Sequence, residues 1–450
     1  MPKLKSLMKM IRQFGESSIA LVVNLILFLF NGIKYVFTLP NRFYNYIKLF
    51  LEDTDAVLKE SLIALSICAV GDLCAGIILG NMEFFLKTYP GLMVIIPGAI
   101  GMRGNIFGSF GSRLSTHLHI GTLSPEFKRS DILSENITAS LILTMVLSIL
   151  LAVIAKGVCI VFGFESISIY DFVLISFIAG LISTIIMLPI TMFISLKSFE
   201  GGWDPDNITT PFIAAVGDFF TLPAIILSVI IVGFISIIPI VKYLVFIVVI
   251  FVTVASLIVG YTAKSDVRHI VRQSTPVLFI CSLLGTFAGG ILNDSLTTLL
   301  KNQTLLTLVP LFSGESGGLV SILGARLSSG LHSGLIDPVL RPKKHTVENF
   351  VAILTLAVVM YPVIGFLAES STLAFGNIGV GILEAISISF IAGLILILLM
   401  LLVVFYISTI SYRRGLDPDN IVIPLSTSLT DSISTLILII VSLGLLNYVF

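Results

Sequence analysis

An all-α, polytopic membrane protein of about eleven spans is the fold class this sequence predicts, on three observations. Mean hydropathy is +1.08, with 56% hydrophobic and only 12% charged residues, a balance foreign to soluble domains. Apolar stretches long enough to cross a bilayer recur along the whole chain. And the chain repeats itself after 213 residues, the mark of an internal duplication.

The start, "MPKLKSLMKMIRQFGESS", is basic but lacks a small-residue cleavage site, so a removable signal peptide is not expected. The run "SIALVVNLILFLF" (18–30) is too short to span and contains Asn24; it reads as an interfacial or docking helix. Spans are predicted near 58–80, 89–110, 136–162, 171–196, 207–235, 239–262, 271–292, 303–325, 347–370, 381–410 and 420–448. With the N-terminus in the cytoplasm, the Lys and Arg residues fall on the inner side, except Lys87, Lys156, Lys242 and Lys301 near the outer side and Arg103 within a span. The positive-inside rule therefore sets the orientation, with the C-terminus extracytoplasmic. Net charge is zero and no basic run suggests nucleic acid. Four scattered cysteines (Cys68, Cys74, Cys159, Cys281) give neither a disulfide framework nor a zinc site.

The repeat is plain on the page. "RLSTHLHIGTLSP" (113–125) lies over "RLSSGLHSGLIDP" (326–338), "SFIAGL" recurs unchanged at 176–181 and 389–394, and "DPDNITTPFIAAVGDFFT" (204–221) lies over "DPDNIVIPLSTSLTDSIS" (417–434). Each copy holds five spans, an odd number. The segment at 241–263 has no counterpart in either copy, and as a linking span it restores the orientation. The expected organisation is an N-terminal segment (1–54), a first repeat (55–238), a linking helix (239–265) and a second repeat (266–450). Parallel repeats are related by a pseudo-two-fold axis along the membrane normal, which lets equivalent residues face one another at one depth.

The last span of each copy carries its polar residues on one stripe: Asn207, Pro211, Ala214, Asp218 and Thr221, then Asn420, Pro424, Thr427, Asp431 and Ser434. Asp431 lies about 20 Å along its helix, near mid-bilayer. Two carboxylates at matching depth repel unless a cation or proton sits between them, so Asp218 and Asp431 are the candidate metal residues. In "DPDN", Asp204 and Asp417 read as N-caps before a first-turn proline. Asp206 and Asp419 suit the helix dipole and the mouth of an ion path.

The second span of each copy carries a glycine stripe, Gly101, Gly104, Gly108 and Gly111 against Gly314, Gly317, Ser321 and Gly324, for close helix packing or for lining a pathway beside Asn105. Arg103 and Glu315 occupy neighbouring levels of the two second spans. An ion pair between the halves is the plainer expectation, and a third acidic ligand at Glu315 the sharper one. Asp72 has no acidic twin and is not assigned to the site; His119 and His332 read as solvated loop histidines.

These residues resemble the MgtE family and especially its duplicated branch, solute carrier family 41. The likeness is carried by "PxxxGxxGN" (Pro97, Gly101, Gly104, Asn105), by "RLST" (113–116) and by the two "DPDN…P…D" helices, over residues 55–450 or so. In MgtE an aspartate in the last span of each subunit forms a central magnesium site on the dimer axis, and that aspartate falls on Asp218 and Asp431. The resemblance thus implies a multi-pass cell-membrane transporter of Mg²⁺, working as a single-chain pseudo-dimer in the lipid bilayer. It implies either a channel or a Na⁺-coupled exchanger, with Asn105, Asn207, Asn420, Glu315, Thr221, Thr427, Asp206 and Asp419 as secondary pathway residues. Two departures stand out. "GESGGL" replaces "GMRGNI" in the second copy, so Gly318 takes the place of an Asn105 twin. Only about 55 residues precede the first span, so MgtE's cytoplasmic sensor domains are not expected.

Mg²⁺ is small, octahedral and slow to lose water, and suits two carboxylates flanked by hydroxyls and amides; the lack of sulfur and imidazole argues against copper or zinc. Another divalent cation and a small organic solute remain alternatives. An intramembrane aspartyl protease, superficially suggested by "AAVGD", leaves the duplication unexplained, and no enzyme activity is expected.

Overall fold

The computed structural model describes residues 41–119, 121–124, 130–201, 205–263, 266–415 and 418–448, with side chains placed except in 41–60, 119, 205–211, 418–421 and 447–448. The described residues form helices and no strand: α1 (Asn41–Gly80), α2 (Glu83–Thr88), α3 (Leu92–His119), α4 (Asp131–Phe162), α5 (Ile169–Glu200), α6 (Pro205–Ile235), α7 (Pro239–Thr262), α8 (Asp266–Asp294), α9 (Leu296–Lys301), α10 (Gln303–His332), α11 (Lys344–Ala374), α12 (Ile382–Arg413) and α13 (Pro418–Tyr448). All but the short α2 and α9 contain a segment long and apolar enough to cross a membrane, eleven in total among the described residues. That is the number the sequence predicts. The helix of the first span reaches back to Asn41, so part of the expected N-terminal segment continues into it. Residues 18–30 lie outside the described residues.

Local sequence explains where the helices begin and end. Pro205, Pro239 and Pro418 open their helices, where the missing N–H costs nothing. Ser130 and Ser168 cap α4 and α5 by accepting from the N–H groups of Leu133 and Asp171, each at 3.2 Å. Gly163 closes α4 at φ +73°, a conformation that disfavours other residues.

Packing follows a pattern that hydropathy does not show. Each repeat's first span packs on the other half: α1 lies against α10 and α11, and α8 against α3 and α4. Glycine makes this exchange possible. A Cβ on Gly76 would fall 2.2 Å from the backbone oxygen of Thr307, and one on Gly289 would fall 2.3 Å from that of Val94. The two contacts are 213 residues apart at both ends. Backbones this close are the membrane alternative to hydrophobic attraction, since lipid tails are as apolar as the side chains they would release. At its C-terminal end α1 is followed by polar ties to the second half, Asn377 Nδ2 donating to Asn81 Oδ1 (3.2 Å) and Gln303 Nε2 to Glu83 (3.5 Å). Lys87, paired with Glu83 one turn away, holds that carboxyl below the usual range.

Helix α7 stays at the periphery. It contacts α4, α5, α6 and α8, buries only Val249, Thr253 and Gly260, and turns Leu244, Ile247, Phe251 and Ile258 outward. The core itself is held by large side chains such as Phe107, Phe110, Phe172, Phe312, Tyr361 and Phe405.

Gly76→Ala and Gly289→Ala are each expected to cost about 1–3 kcal/mol, the usual penalty for overpacking, read as a lowered thermal unfolding midpoint of the purified protein. An unchanged midpoint for both would show that the seam is not this tight.

Candidate cation site

The second and last spans of both halves, α3, α6, α10 and α13, border the interior where the duplicated acids lie. Each last span packs on its own second span and also touches the second span of the other half, α6 meeting α10 and α13 meeting α3. Asp218 on α6 is 9% exposed, and Asp431 on α13 is half-buried. Asp431 accepts a hydrogen bond from Ser313 Oγ of its own half at 2.8 Å, while its other oxygen rests on the opposite half, 3.2 Å from where a Cβ of Gly101 would stand. One turn earlier, Asn105 Nδ2 donates to Ser428 Oγ across the same seam (2.9 Å).

The glycine stripes divide by role. Gly104 and Gly317, at matching positions, face open space: nothing lies within 4 Å of a Cβ built on either. Gly101 and Gly314 admit carboxylates, Asp431 at the first and Asp72 at the second, where a Cβ would meet Asp72 Oδ2 at 2.3 Å. Gly108 is buried. Tight helix seams are instead made by first-span glycines.

Other expected residues sit less centrally. Thr221 is fully buried and donates to Gly217 O of its own helix (2.6 Å), and Thr427 donates to Ile423 O (2.9 Å). Asp206, Asn207, Asp419 and Asn420 lie in the first turns of α6 and α13, but their side chains, like Asp204, Asp417 and the side chain of His119, fall outside the described residues. His332 is not in a loop; it ends α10, edge-on to Tyr412 with ring centroids 5.4 Å apart.

The expected Arg103–Glu315 ion pair is not made. Both side chains are fully buried, yet all three guanidinium nitrogens and both carboxylate oxygens lack hydrogen-bond partners. The reason is direction: Arg103 reaches into its own half, toward Gly180 and Ser148. On the second half's side, Asp72 of α1 lies against Gly314, the neighbour of Glu315. Asp72, 2% exposed with Oδ1 unpartnered, is the residue that reasoning from symmetry set aside. Its signal was present: a carboxylate inside an apolar span is costly wherever it occurs. No three His, Cys, Asp or Glu side chains among the described residues converge to grip a metal ion directly.

The family model for MgtE, a divalent cation transporter, matches this chain twice, at residues 96–228 and 309–441. The chain belongs to the MgtE family. Both matches enclose the paired helices just described, Asp218 in the first and Asp431 in the second. Over 417 residues the chain is 25% identical to human solute carrier family 41 member 2, covering 87% of this chain and 71% of the relative. It is 26% identical over 411 residues to mouse solute carrier family 41 member 3, covering 83% and 79%. No solved structure matches. Membership in a transporter family sets the protease alternative aside and fits the eleven candidate spans of a multi-pass membrane protein.

Leucine at Gly104 or at Gly317 is expected to leave the fold intact, since its Cβ meets nothing within 4 Å at either position, while cutting cation flux at least about tenfold, roughly 1.4 kcal/mol in barrier. Isotope flux and the unfolding midpoint, measured on the same preparations, check both halves of this expectation.

Proposed function

We propose that this chain carries Mg²⁺ across the cell membrane through one central site shared by Asp218 and Asp431. The observation that carries the reading is the reach of Asp431, held by Ser313 of its own half and set against Gly101 of the other, beside open Gly104. The two halves then act as one functional unit about an axis along the membrane normal, with the N-terminus cytoplasmic and the C-terminus outside. Repulsion between two acids is relieved when a dication enters and restored when it leaves.

Magnesium fits because it keeps its waters. An ion bound through its hydration shell needs a wide, oxygen-lined space with few direct ligands. The absence of a tight acidic cage among the described residues, and the free face at Gly104 and Gly317, support that mode over direct gripping. Asn105 and Ser428 would steady the shell from the side. The halves are unequal, since the position of Ser313 is held by Ile100 in the first copy; Asp431 is therefore the better oriented acid. Na⁺ as a coupling ion would make the protein an exchanger; without it the same path is a channel.

Asp218→Asn and Asp431→Asn are each expected to lower Mg²⁺ uptake into proteoliposomes at least about tenfold, with membrane insertion unchanged. Ser313→Ala, which removes only an orienting hydrogen bond, should cost less. Full uptake by the Asp218→Asn/Asp431→Asn double variant would refute the site. Repeating the wild-type measurement with and without a Na⁺ gradient separates exchange from conduction: flux that follows voltage and ignores Na⁺ rules out the exchanger.

A further inference from the structure

Arg103 is among the costliest side chains of the described residues. It is fully buried inside a span, and none of its nitrogens has a partner. An unpaired charge in a low-dielectric interior costs several kcal/mol or more, so something must compensate it. Its surroundings are hydroxyls. A Cβ on Gly180 of α5 would stand 2.4 Å from Ser148 Oγ, 3.0 Å from Arg103 Nη2 and 3.3 Å from Thr144 Cγ2. The missing side chain at Gly180 therefore lets the guanidinium and the face of α4 meet. Ser140, Thr144 and Ser148 form one stripe on α4, Ser183 and Thr184 lie on the facing side of α5, and all are fully buried. The hydroxyls of Ser140, Ser148 and Ser183 make no hydrogen bond, not even to their own helix, whereas Thr184 donates to Thr144 at 3.2 Å.

The second half is an internal control. At the positions of Ser140, Thr144, Ser183 and Thr184 it carries Ile353, Ala357, Leu396 and Ile397, also buried. Arg103 is replaced by Ser316 and Ser148 by Tyr361. There the tyrosine ring fills the space over Gly393, the partner of Gly180, and its hydroxyl meets Ser316 Oγ at 3.1 Å. The same packing problem thus has an apolar solution in this very chain, and the first half does not use it.

We propose that the interface of α3, α4 and α5 at the Arg103 guanidinium binds a small inorganic anion of the halide class, chloride being the abundant one. Arg103 brings one fixed positive charge and Ser148 a spare O–H donor beside it, and no acidic side chain among the described residues bonds to the guanidinium. A set of donors without a carboxylate selects an anion. Water would satisfy the hydroxyls and leave the charge unbalanced. The guanidinium points toward α4 and α5, into a part of the first half that the second half fills with side chains.

The test uses the purified full chain in sodium chloride, sodium bromide or sodium gluconate at equal ionic strength. Chloride and bromide are expected to raise the unfolding midpoint by several degrees in a saturable way, and radioactive chloride should bind at about one ion per chain. Arg103→Ser/Ser148→Tyr, which installs the pairing of the second half, should stay folded and lose both effects. Should that variant fail to fold, Ser148→Ala, which changes no charge, is expected to weaken chloride binding several-fold. Bromide anomalous scattering should give a peak at the guanidinium. Equal midpoints in all three salts, no bound chloride, or water alone at Arg103 in the bromide crystals would overturn the proposal.

Discussion

Placing charge inside hydrocarbon is the constraint from which the rest of this structure follows. Water is absent there, so each ionised group needs a partner, a bound ion or a hydrated cavity. The chain carries Asp72, Arg103, Asp218, Glu315 and Asp431 in its spans, and only Asp431 is described with a side-chain partner. Acids and base are kept apart: the carboxylates gather where the halves meet, while the arginine turns outward into the first half. An Arg103–Glu315 pair would remove one of four negative charges from the interior. Their separation leaves all four carboxylates without a basic partner there.

The exchange of first spans gives that centre its walls. By packing α1 on α10 and α8 on α3, the duplicated halves become interlocked, and residues as far apart in sequence as Gly76 and Thr307, or Val94 and Gly289, become neighbours. Glycine at the crossings permits this and fixes its level, because a methyl group at Gly76 or Gly289 would strike backbone. Exchange also delivers an acid that duplication did not copy: Asp72 comes from the first half but lies against Gly314 of the second. The centre is therefore built by two similar helices on each side and trimmed by unlike residues, Ser313 against Ile100 and Asn105 against Gly318.

Much of this was legible in the sequence. Hydropathy gave all eleven spans, and "DPDN" marked Pro205 and Pro418 as helix openings. The stripe of Asp218 and Asp431 follows from steps of three and four residues, and the duplication makes the two positions equivalent in sequence. What failed shares one physical cause. Periodicity tells which face of a helix is polar, not which neighbour it meets, so Arg103 and Glu315, adjacent in level, were paired although their side chains diverge. Asp72 was passed over because it lacked a twin, yet desolvation cost does not depend on symmetry. The exchange of first spans had no local signal beyond the small residues of "AVGDLCAGIILG" and "LLGTFAGGIL", which permit close packing without naming the partner.

The central claim is that two acids from sister helices share one hydrated dication. Its most direct measurement is anomalous scattering from crystals of the full chain loaded with Mn²⁺, a hard octahedral stand-in for Mg²⁺. A single peak between Asp218 and Asp431, at hydration-shell distance from both and displaced by excess Mg²⁺, is the predicted result. A peak held by one carboxylate alone, or occupied manganese elsewhere with nothing between the pair, would contradict the account.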